Sequence, residues 1–95
     1  MPNRNYEAGR RAEYRTMRYH ERIGFTCTRS SSSKGPWDVV AVSCDAIRLI
    51  QVSCGGAKKS PTELESFDLL RVPPGVTKMY MHWPKGAKDP IIKEL

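Results

Sequence analysis

Nowhere in this 95-residue chain does an apolar run approach the roughly 20 residues a membrane-spanning helix needs. The stretch Met1–Arg15 is basic but has no apolar core behind its charges. It does not read as a secretory signal, and a cytoplasmic protein without membrane attachment is the expectation. Cysteine is scarce: Cys27, Cys44 and Cys54 are an odd number with no C-x-x-C spacing. That argues against a disulfide framework and against a structural zinc site. The two histidines, His20 and His82, lie far apart with no second ligand at motif spacing, and each reads as an ordinary surface or core residue. Internal repeats are absent, and Ser30–Ser33 is the only low-complexity stretch. Basic residues are not interleaved with aromatics in the manner of single-strand RNA binders.

Apolar residues make up 39% of the chain and charged residues 27%, the balance of a folded globular protein. At this length residues 1–95 read as a single domain with a small core. The charge is unevenly spread. The net value is +6, and residues 1–34 carry eight basic side chains against three acidic ones, a local net of +5. A basic first third points to a polyanionic partner, nucleic acid being the usual one, or to a solvated arginine-rich helix face.

Residues 5–23 read as a helix: no proline and no β-branched run, an Asn cap at residue 3 or 5, and Gly24 as the stop. Ala8, Ala12, Met17, Tyr19 and Ile23 give an imperfect apolar stripe. Residues 25–29 alternate as a strand. Residues 37–43 and 47–54 form an antiparallel hairpin turned at Cys44-Asp45. Ser60-Pro61-Thr62-Glu63 carries a capping box that opens a helix over 61–71, and Pro73-Pro74-Gly75 closes it. Residues 76–83 are a fourth strand, and Ile91-Ile92 can add a short edge strand. The order is α-β-β-β-α-β, an α/β domain with a mixed sheet of four or five strands flanked by helices.

Within that order a few oxygen-bearing residues can meet. Gln51 and Ser53 share one face of their strand, with Val52 on the other. Asp38 stands across the hairpin, and the first helix offers Glu13. Oxygen donors from three elements can hold Mg²⁺, although an Asp at a strand start and a Gln in a hairpin are more often structural.

The pattern Gly9-x-x-x-Glu13, Gly24-Phe25, Arg29-Ser30, Lys34-Gly35-Pro36, Asp38-Val39-Val40-Ala41 and Ile50-Gln51-Val52-Ser53 resembles the archaeal-type Holliday junction resolvases. These belong to the restriction-endonuclease-like PD-(D/E)xK nuclease superfamily, and the resemblance covers roughly residues 6–54. It implies a metal-dependent endonuclease that cuts DNA, branched DNA in particular, as a two-fold homodimer with Mg²⁺ or Mn²⁺. By position, Asp38 takes the place of the metal-binding aspartate and Glu13 that of the helix glutamate. Gln51 takes the place of the second acidic ligand, and Val52 supplies a backbone carbonyl. Ser53 stands where the catalytic lysine would be. Arg29, Ser32 and Lys34 fall in the loop that meets DNA. By their charge, apart from the resemblance, Arg10, Arg11, Arg15, Lys58 and Lys59 offer further phosphate contacts.

Three departures stand out. Trp37 replaces the proline before Asp38. Gln51 keeps an oxygen but loses a charge. Ser53 supplies no ammonium to orient water or to stabilise charge on phosphate. Lys34, or Lys58 or Lys59 after a reversal at Gly55-Gly56, are the residues that can substitute for it. Two other readings stand beside the endonuclease: a degenerate nuclease fold that binds DNA without cutting, and an interaction module using Trp37, Trp83 and Tyr80 as an exposed protein interface.

Overall fold

The structure, a computed structural model, describes residues 4–30, 36–56 and 60–95. Helix α1 (Arg4–Glu21) leads into strands β1 (Thr26–Arg29), β2 (Val39–Val42) and β3 (Ile47–Cys54). Helix α2 (Pro61–Asp68) follows, then β4 (Val76–Trp83) and β5 (Ile91–Glu94). The five strands form one sheet in sequence order. Neighbours are antiparallel except β3 and β4, which run parallel with Gln51 beside Tyr80 and Ser53 beside His82. A parallel pair needs a crossover, and the segment containing α2 supplies it. The expected mixed sheet is observed, with Ile91–Glu94 as its fifth strand.

Both helices end earlier than their sequence signals suggest. Helix α1 stops at Glu21 because Gly24 adopts φ 95° and lets the Phe25 N–H fold back onto the His20 carbonyl at 3.0 Å. A side chain would make that backbone conformation costly. Helix α2 ends at Asp68, where the Lys78 ammonium satisfies the Asp68 carbonyl and, at 2.8 Å, that of Leu70. A distant strand thus caps the last turn, in which the Leu69 N–H still bonds to the Glu65 carbonyl at 2.9 Å and the Leu70 N–H to that of Phe67 at 3.1 Å.

Strand alternation divides the sheet into two unlike faces. On one, Val39, Ala41, Ile50, Val52, Met79 and Met81 pack with Ala12 of α1. Met17 and Tyr19 lie against this cluster, whereas Ile23, expected on the same stripe, is 54% exposed beyond the helix end. Thr16 and His20 occupy the buried turns instead, with the Thr16 hydroxyl donating to the Ala12 carbonyl at 2.9 Å. His20 Nδ1 is 2.9 Å from the Thr16 carbonyl and its Nε2 is buried with no partner among the described residues. Burial holds the His20 pKa below the ordinary value of 6.5.

The opposite face is polar yet buried: Gln51, Ser53, Lys78, Tyr80 and His82 all lie there beside Leu49. Tyr80 and Trp83 are therefore not exposed interface residues. Trp83 belongs to the α1-side core, and its Nε1–H donates to the Thr16 hydroxyl at 2.8 Å. Large aromatic area is worth most when removed from water, which outweighs display at the surface.

Candidate functional site

The end of β3 and the start of β2 hold Gln51, Val52 and Asp38. Asp38 precedes β2. Its N–H donates to the Ile50 carbonyl at 2.8 Å although Val39 is the register partner of Ile50. Two residues thus stand opposite one, the arrangement of a β-bulge, which re-aims a side chain. The Asp38 carboxylate oxygen Oδ2 accepts the Val52 N–H at 2.9 Å, and the Asp38 carbonyl accepts the Ser30 N–H at 2.8 Å. The carboxylate has taken the place of a β2 backbone carbonyl, just past the point where the ladder ends. Because the N–H and C=O of a strand residue leave on the same edge, the Val52 carbonyl points toward the Asp38 side as well.

Gln51 is 6% exposed. Its Nε2 donates to the Pro36 carbonyl at 2.6 Å, which fixes the amide orientation, and its Oε1 is buried with no hydrogen-bond partner among the described residues. An orphaned buried acceptor costs about 1–3 kcal/mol, and a cation relieves that cost directly. Gln51 Oε1, the Asp38 carboxylate and the Val52 carbonyl are hard oxygen donors of the kind that Mg²⁺ or Mn²⁺ takes. Among the described residues no group of three or more His, Cys, Asp or Glu side chains could hold a metal. A cation here depends on the amide and backbone oxygens.

Glu13 of α1 pairs with Arg29, the register partner of Val39, on the α1 face of the sheet, whereas Gln51 and Ser53 lie on the opposite face. Glu13 Oε1 lies 3.1 Å from Arg29 Nε, an ionic contact whose N–H does not point along the line of approach. The Arg29 guanidinium also sits 5.1 Å from the Tyr14 ring centroid, and that of Arg10 lies 5.8 Å from the same ring. Arg29 is thereby pinned between a carboxylate and an aromatic face. Arg15 stacks on Trp83 at 4.1 Å and donates to the Ala87 carbonyl at 3.0 Å, while Arg11 is exposed. Ser32, Lys34, Lys58 and Lys59 lie outside the described residues.

Ser53, in the position of the lysine, is not an empty substitution. Its Oγ is 2.5 Å from the Tyr80 hydroxyl and 2.6 Å from His82 Nδ1, and all three side chains are buried. With one hydroxyl proton each on Ser53 and Tyr80 and one ring nitrogen of His82, the chain can be satisfied with its protons running in either direction. Sequence reading missed Tyr80 and His82. Their period-two spacing places them on one face of β4, but only the parallel register sets that face beside Ser53, 27 and 29 residues away.

No protein-family model matches the sequence, and no curated protein matches it. Among solved structures, the chain is similar to Hjc of Archaeoglobus fulgidus, a Holliday junction resolvase from an archaeal hyperthermophile. The TM-score is 0.68 at 18% sequence identity, and the match covers 92% of this chain and 70% of that one. At that identity the likeness is one of fold.

Proposed function

We propose that residues 1–95 form a single PD-(D/E)xK-like domain that acts as a metal-dependent, structure-selective DNA endonuclease of the Holliday junction resolvase kind. The observation that carries this reading is Gln51 Oε1, buried and without a hydrogen-bond partner among the described residues, on the residue before Val52, whose N–H the Asp38 carboxylate accepts. It is an acceptor in want of a cation, at the strand position where the resemblance calls for a ligand. The neighbour with this fold is a Holliday junction resolvase, so a four-way junction is the first substrate to offer. A bound Mg²⁺ or Mn²⁺ would polarise the scissile phosphate and acidify water. The chain's own contribution is to hold the donors: the bulge aims Asp38, the Pro36 carbonyl orients Gln51, and β3 presents Val52. Glu13 is held by Arg29 on the α1 face of the sheet, across from Gln51. A two-fold homodimer would present two such sites to a symmetric junction. DNA work of this kind fits a cytoplasmic protein.

A second reading is a nuclease fold that binds DNA without cutting it. The specific observation in its favour is Ser53, whose hydroxyl is committed to Tyr80 and His82 and brings no ammonium to a phosphate. A cleavage assay on four-way junction, duplex and single-stranded DNA with Mg²⁺ and with Mn²⁺ separates the two. The endonuclease reading expects metal-dependent cutting of the junction that Asp38→Ala abolishes. Binding without cutting under every condition selects the second reading.

A further inference from the structure

Arg11, Arg15, Arg18 and Arg22 follow one another at i, i+4, i+7 and i+11. At 100° per residue they fall within an arc of roughly 60° on α1. The Arg22 N–H still bonds to the Arg18 carbonyl at 3.1 Å, so the stripe runs past the helix end. Glu13 lies about 200° from Arg11 on the same wheel. The stripe therefore faces away from Arg29 and the Asp38 end of the sheet.

The segment joining β4 to β5 forms the facing wall, and Arg15 ties it to the helix through Trp83 and the Ala87 carbonyl. Two hollows of about 260 and 680 Å³ meet at Arg15 and Trp83. Arg18, Arg22 and Lys88 line the first, and Arg11 and Lys85 line the second. Six cations thus border one groove, against Glu7 and Asp89. Among the described residues no ion pair engages Arg11, Arg18, Arg22, Lys85 or Lys88. An ordinary solvated arginine face would be left convex. Here the fold has drawn a second cationic segment against it and concentrated like charge, which a polyanion would neutralise.

We infer that the groove between α1 and the β4–β5 connection is a second nucleic-acid contact, a track for a phosphate backbone on the far side of α1 from Asp38. It rests on the proposal that this chain binds DNA, and it adds a surface that the Asp38 end does not include. From Arg11 to Arg22 the helix rises about 16 Å, a span of about five phosphates of one strand at 3.4 Å each. The indole of Trp83 is buried and covered by Arg15, so it is not presented for base stacking, and the half-buried Tyr19 is the other ring of the lining. The groove accordingly contacts charge and carries no sequence information.

The test uses the full chain and the triple variant Arg18→Gln, Arg22→Gln, Lys88→Gln. All three residues are exposed, and a thermal melt confirms that the fold is kept. Affinity for a four-way junction and for a duplex is measured across a salt series. The expected result is at least a tenfold loss at low salt. On duplex, the slope of log affinity against log salt becomes shallower by about 0.9 for each lost contact, nearly 3 in all. Cutting at saturating protein stays metal-dependent. A triple variant with the parent's affinity and slope overturns the groove and leaves the proposed function standing. A parent that binds no nucleic acid at any salt overturns both. Polyglutamate of matched charge is the second arm: binding as tight as that of DNA, with the same dependence on the three residues, assigns the groove to acidic polypeptide and overturns the nucleic-acid assignment.

Discussion

The two faces of the sheet solve burial in different ways. Under α1, aliphatic side chains from β2, β3 and β4 exclude water and need only fit one another. On the opposite face, Gln51, Ser53, Tyr80 and His82 are as deeply buried, but each carries polar atoms that must be matched. The first face is expected to answer to volume and the second to hydrogen-bond partners. Buried polar groups are costly unless paired, so a row of them at one end of a strand is a stronger pointer to function than any apolar position.

The largest expected effect falls on the apolar face. Ile50 is fully buried at the centre of the sheet, and Ile50→Ala should cost about 2–5 kcal/mol in urea unfolding. Intrinsic DNA affinity of the folded fraction should not change. A loss of affinity at equal folded fraction would erase the division of labour between the faces.

The next largest concerns the missing charges. Gln51→Glu with Ser53→Lys restores a carboxylate and an ammonium and should raise the cleavage rate by about a hundredfold, roughly 3 kcal/mol. The new lysine must displace Tyr80 and His82 from Ser53, an overpacking that should cost about 1–3 kcal/mol in the same unfolding experiment. A double variant that folds and cuts no faster would mean that a cation already reaches the phosphate from elsewhere, with Lys34, Lys58 and Lys59 the next residues to change.

Within the polar chain, Ser53→Ala takes a partner from Tyr80 and from His82 at once and should cost about 1–3 kcal/mol, whereas Tyr80→Phe should cost about 1 kcal/mol. Equal and negligible losses in chemical denaturation would show that the chain contributes nothing to stability.

The smallest effect is a pH dependence on the apolar side. The folded pKa of His20 is lowered by burial, so the unfolded chain binds the proton more readily. Its stability contribution is complete above the unfolded value of 6.5 and is lost as pH falls from there through the lowered folded pKa. Melting temperature should fall between pH 7 and pH 5, and His20→Phe, which keeps a ring between Tyr19 and Phe25, should flatten that slope. An unchanged slope would assign the acid sensitivity to other groups.

Much of this molecule is legible one segment at a time. Strand alternation, the glycine stop after α1, the Ser60 capping box and the turn at Cys44-Asp45 are local signals, and each element they mark is present. The order of Asp38 and Gln51 along a hairpin also determines that the two strands bring them to one end of the sheet, because antiparallel register follows from the turn. The helix ends were less legible, since Lys78, ten residues past Asp68, caps α2 from β4.

What tertiary structure alone decided is the company these residues keep. The parallel register of β3 and β4, set by a crossover rather than a turn, seats Tyr80 and His82 on Ser53. The bulge that turns Asp38 onto the Val52 N–H depends on both strands at once. The arginine stripe of α1 is written in its spacing, yet it becomes a groove only where Arg15 captures Trp83 and the Ala87 carbonyl, 68 and 72 residues away. Periodicity acts through the nearest turns of the chain, and contacts at such separations exist only once the whole sheet has closed.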